Sequence, residues 1–85
     1  MSETTCYAIA KVDAAGKPVA YLPYMGENWQ PTMSYSLTPH RSKAWRFPVR
    51  WAAEETLEVM KATTGDQGLK VIGIDCDGPP LTLAP

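Results

Sequence analysis

Eighty-five residues leave room for one domain, residues 1–85, and for a core of modest size. Nine acidic and eight basic side chains give a net charge of −1, which creates no global field toward nucleic acid or anionic lipid. Eight prolines and six glycines imply short elements divided by firm turns.

The first predicted element is a strand, TCYAIAKV, Thr5 to Val12. Tyr7, Ile9 and Lys11 alternate with Cys6, Ala8, Ala10 and Val12, so one face is made of small residues. Asp13 to Gly16 reads as a hairpin turn, with Gly16 at the left-handed position. The return strand is KPVAYLPY, Lys17 to Tyr24, with a proline near each end. Met25 to Pro31 is a loop. A third strand is expected at TMSYSL, where Met33, Tyr35 and Leu37 alternate with Thr32, Ser34 and Ser36. Thr38-Pro39 then suggests a cap and first helical residue, making HRSKA one helical turn.

The long helix signal is PVRWAAEETLEVMKA, Pro48 to Ala62. Val49, Ala52, Ala53, Thr56, Leu57 and Met60 form a single apolar stripe. Pro48 suits the first turn and Gly65 a left-handed cap. Leu69 to Asp75 reads as the last strand, placed beside the first. The remaining residues, 76–85, read as a proline-rich tail turning at Gly78, which leaves an ordered core of about 5–75. The expected fold is α+β in βββαβ order: a small, three- to four-stranded, mainly antiparallel sheet with one amphipathic helix on one face.

The N-terminal MSETTCYAIAKV lacks a cationic start followed by a long apolar run, and no apolar run is long enough for a bilayer. The expectation is therefore a cytoplasmic protein in which Cys6 and Cys76 are reduced thiols. The alternative is a disulfide joining the first and last strands.

The stretch HRSKAWRFPVRW, His40 to Trp51, has two readings. Arg41, Lys43, Arg46 and Trp45 could bind a single-stranded nucleic acid, with cations on phosphates and a ring on a base. The favoured reading is a connector that buries Trp45 and Phe47 on one side and turns Arg46 to the other. Just downstream, Arg50 sits in the first helical turn and Trp51 falls off the apolar stripe. An outward tryptophan beside an arginine is typical of protein-binding hot spots. Arg50, Trp51, Glu54, Glu55 and Glu58, with Trp29 in its loop, are the candidate protein-binding residues. Packing of Trp51 over a sheet edge is the alternative. Exposed aromatics and an unpaired edge at Pro18–Tyr24 would also suit a homodimer.

Catalysis finds little support in these residues. Cys6 or Cys76, His40, and Asp75 or Asp77 are the right types for a thiol hydrolase, but no spacing links them. Zinc wants three or four Cys or His ligands and the chain has three in all. DCDG, Asp75 to Gly78, supplies too few oxygens for calcium, and phosphate-loop and dinucleotide patterns are absent. The expectation is a non-enzymatic protein with no cofactor and no metal.

Three further stretches are Ala44-Trp45-Arg46-Phe47, the Ala52-Ala53…Leu57 helix and Leu69-Lys70-Val71-Ile72. Their order resembles small α+β accessory proteins of phages and prophages, over about half the chain. That group includes inhibitors of host defence such as anti-CRISPR proteins. The resemblance implies a protein that binds a host complex, and it transfers no functional residue.

Overall fold

A computed structural model describes residues 5–76. It shows an α+β domain: one antiparallel three-stranded sheet and one helix. The strands are β1 (Thr5–Val12), β2 (Pro18–Tyr21) and β3 (Leu69–Asp75), in the order β2-β1-β3. The helix is α1 (Arg50–Thr64), and a single 3-10 turn lies at Arg41–Lys43.

Strand β1 is central and buried on both faces. Ala8, Ile9 and Ala10 are each fully inaccessible. Seven residues of β1 pair with β3, from Thr5 with Asp75 to Lys11 with Leu69. On its other edge, Ala10 pairs with Tyr21 and Lys11 with Ala20. The hairpin between β1 and β2 closes on Asp13, whose carboxylate accepts from the amides of Ala15 and Lys17, both at 2.9 Å. Gly16 takes a φ of 84°, which a side chain would resist.

The two faces of the sheet carry different covers. On one, Ile9 and Leu69 meet Ala53, Leu57 and Met60 of α1, with Leu22 and Phe47 completing the cluster. On the other, Cys6, Ala8 and Ala10 pack with Tyr21, Ala44 and Ile74. The small side of β1 lets the 40–46 segment lie close to the sheet, and Ala44 is fully buried there.

Three expectations about the elements and their caps need correction. Thr32–Leu37 is not a strand: Tyr35 and Leu37 pack on the core, but the backbone has no ladder partner. The Trp29 indole N–H donates to the Ser34 carbonyl at 3.0 Å and folds this loop on itself. The order is therefore ββαβ. The missing ladder position is filled from elsewhere, because Phe47 and Tyr7 exchange both backbone hydrogen bonds, at 2.7 and 2.8 Å. Trp45 N–H also donates to the Leu22 carbonyl at 2.9 Å. The helix begins at Arg50, not Pro48. Proline holds Phe47 extended, in register with Tyr7, so Pro48 and Val49 turn the corner outside the helix and Val49 is exposed. Thr38 does not cap the 3-10 turn. Its backbone bridges to Tyr21, and His40 holds the cap position without a side-chain bond.

The far end of α1 follows its sequence signals. Gly65 is left-handed, with φ 76°, and its N–H donates to the Lys61 carbonyl at 2.7 Å. Asp66 then accepts from the Lys11 ammonium at 2.9 Å and from the Gly68 amide at 2.9 Å. Lys11 first, and the Gly68 amide second, hold the Asp66 carboxyl below its ordinary pKa. A carboxylate depressed in the folded state contributes stability that is complete above the unfolded value of about 4 and fades as pH falls through the folded value. Asp66→Asn is therefore expected to flatten part of the acid limb of a stability–pH curve below pH ~4, and to leave a constant deficit above it. An unchanged acid limb in urea titrations of both proteins would show that Asp66 contributes nothing.

Cys6 and Cys76 form a disulfide across the end of the β1–β3 ladder, with Cα atoms 5.2 Å apart. This corrects the expectation of two free thiols. The β1–β3 register places Cys6 opposite Ile74, and the chain leaving β3 brings Cys76 back over it. The sequence beyond Cys76, with Asp77 and the turn expected at Gly78, lies outside the described residues. Among those residues no helix is long and apolar enough to cross a membrane.

Candidate functional site

The 40–51 stretch divides into an interior half and an exterior half. Trp45 stacks on Phe47 with ring centroids 4.7 Å apart and planes 21° from parallel. Tyr24 and Trp29 meet Trp45 edge-on, at 5.1 and 5.9 Å. Phe47 belongs to the cluster under α1, and Trp29 and Trp45 pack against it. Trp29, expected as a contact residue, is thus half-buried and engaged at both its ring and its N–H.

Arg46 points the opposite way and is only 4% exposed. Its guanidinium is saturated. Nε donates to the Asp75 carbonyl at 2.8 Å, and one terminal nitrogen donates to the carbonyls of Ala44 and Ser42. The other reaches the Arg41 carbonyl and the Asp75 carboxylate, each at 3.4 Å. Five N–H donors meet five acceptors, the full capacity of the group. Arg41 binds the other oxygen of the same carboxylate at 3.2 Å. Of the four residues expected to contact nucleic acid, Arg46 and Trp45 are engaged inside the fold, on opposite sides of one segment. Arg41 is held by Asp75. Lys43 is exposed, with no ion pair among the described residues. They form no continuous cationic face.

The candidates for thiol chemistry are also occupied. Cys6 and Cys76 are bonded to each other, and Asp75 is engaged by two arginines. Among the described residues no group of three or more His, Cys, Asp or Glu is placed to hold a metal.

The exterior half is different. Trp51 is 64% exposed, the largest exposure among the large hydrophobic residues described. At 3.6 residues per turn it lies about 180° around the helix from Met60, which is fully buried. Glu55 and Glu58 follow at i+4 and i+7, on the same outer stripe, and Glu54 borders it; all three are exposed. Arg50 donates to Glu54 at 2.7 Å, and that hydrogen bond, with the charge of Glu54, raises the arginine's pKa. The same guanidinium sits over the Tyr7 ring, 5.9 Å from its centroid. Arg50, Trp51, Glu54, Glu55 and Glu58 are therefore brought together on the solvent side of α1. Trp29 is not among them.

The expected open edge at Pro18–Tyr24 is partly closed. Tyr21 exchanges hydrogen bonds with Thr38, and the Leu22 carbonyl accepts from Trp45. The remaining open stretch is short and begins with a proline.

No family model matches the chain, and no curated protein or solved structure matches it.

Proposed function

We propose that this chain is a non-enzymatic protein-binding module whose contact surface is the outer face of α1, with Trp51 as its anchor. One observation carries the reading. An indole sits 64% exposed on the helix face opposite the core, where it contributes little to folding. Leaving such a ring in water forgoes burial of roughly 150–250 Å², an area that a partner would remove from solvent. The helix beneath is fixed to the sheet through Ala53, Leu57 and Met60, so the anchor is presented on a rigid element.

The resemblance to phage-encoded accessory proteins supplies the biological setting of the proposal: binding to a host protein complex, defence complexes included. A cytoplasmic location belongs to the same proposal. In a reducing compartment the Cys6–Cys76 bond would open, but neither cysteine lies on α1.

The test uses Trp51→Ala. Its melting curve is expected to stay within about 0.5 kcal/mol of the wild type, as for a surface position. In a pull-down from lysate, the partner retained by the wild type is expected to be lost, with affinity down about thirtyfold or more. Equal retention by a folded Trp51→Ala protein would refute the surface. Retention of nucleic acid that falls steeply with salt and depends on Lys43 would favour the single-strand reading.

A further inference from the structure

We infer that the partner of α1 is a cationic protein segment, which sets lysine or arginine side chains on Glu55 and Glu58 and lays an apolar stem or a guanidinium on the Trp51 indole. The inference rests on the binding proposal above and narrows it.

The charges on the face decide the sign. Glu54 is neutralised by Arg50 at 2.7 Å. Glu55 and Glu58 are exposed and have no ion pair among the described residues. They stand one turn apart, about 5–6 Å between Cβ atoms, so each raises the other's need for a counter-charge. Arg50 cannot serve both, since it is held between Glu54 and the Tyr7 ring. Lys61, the one cation in the last turn, is half-buried and makes no ion pair with Glu58.

Three kinds of occupant meet this face differently. A phosphate backbone or an anionic lipid surface is repelled by the two carboxylates that follow Trp51 along the outer stripe of α1. A purely apolar surface would cover Trp51 but would strip water from Glu55 and Glu58 without replacing it. A cationic segment satisfies both features: its charges pair with the carboxylates, and its stems or guanidinium planes pack on the indole, whose face attracts cations. The spacing of Glu55 and Glu58 suits two basic side chains on one face of a helix, or on one side of a strand.

The probe is a short peptide of alternating arginine and alanine, titrated into the full chain and followed by amide NMR shifts. A glutamate–alanine peptide and a thymidine oligonucleotide serve as controls. Shifts are expected at Trp51, Glu55, Glu58 and Ala62 with the arginine peptide only. The double variant Glu55→Gln/Glu58→Gln keeps the fold and is expected to weaken binding about tenfold or more at low salt, with a smaller loss at high salt. Binding of the glutamate peptide or the oligonucleotide at α1, shifts centred elsewhere, or unchanged affinity in the double variant would each overturn the inference. The natural partner separates the two claims. If its binding needs Trp51 but tolerates loss of both glutamates, the surface stands and the cationic partner falls. If it needs neither, both fall.

Discussion

Serine at both Cys6 and Cys76 is expected to lower stability by about 4 kcal/mol, seen as a fall of roughly 15–30 °C in Tm. The size follows from the chain, because the two cysteines are 70 residues apart and their bond closes almost the whole described sequence into one loop. Opening it returns that closure entropy to the unfolded state. In a domain of this size, the loss is a large part of the total. The native ladder should nonetheless persist at low temperature, since seven β1–β3 pairs do not need the bond. Thermal melts with and without dithiothreitol check the result directly: the reduced wild type should match the serine variant. Identical melting in oxidised and reduced protein would mean that the bond does not constrain the unfolded chain.

Arg46→Met is expected to cost about 3 kcal/mol in urea denaturation. Methionine keeps most of the stem and removes every donor. The carbonyls of Arg41, Ser42 and Ala44 would each lose a partner, and they belong to the segment that closes the rear of the sheet. Asp75 is half-exposed and keeps Arg41, so it is not left as a buried bare charge. That moderates the loss. Arg46→Lys should fall between the two, because an ammonium keeps the charge but cannot span a fork of acceptors. Combining Arg46→Met with the serine pair should cost less than the sum, since one acts at Asp75, the last residue of β3, and the other at Cys76 just beyond it, so they share the anchoring of that end. A methionine variant as stable as wild type would show that water replaces the guanidinium at no loss.

The parts of the fold legible in the sequence were those with a sustained period or a decisive turn residue. Thr5–Val12 and Leu69–Asp75 match β1 and β3 at both ends. Gly16 and Gly65 take the left-handed conformations expected of them. Thr32–Leu37 misled because its alternation follows how Tyr35 and Leu37 pack, while strand identity depends on a backbone partner that another segment supplies. The alternation of Trp45, Arg46 and Phe47 was readable, but the interior position of Arg46 was not: its acceptors are mostly main-chain carbonyls, set by the path of the loop. The disulfide was obscured by an argument about compartment. The stronger signal was local, two cysteines near the ends of strands expected to be neighbours. That Trp51 lies off the apolar stripe of α1 was legible, but its exposure was not, because packing over a sheet edge fitted the sequence equally well.

Oxidative footprinting of the tryptophans tests the central claim most directly. Trp51 is mostly exposed, whereas Trp29 and Trp45 are half-buried and serve as internal references. With the retained partner present, Trp51 labelling should drop severalfold while Trp29 and Trp45 keep their rates. Unchanged labelling of Trp51 in the complex, with protection instead at Trp29 or around Lys43, would contradict the assignment of α1 as the binding face.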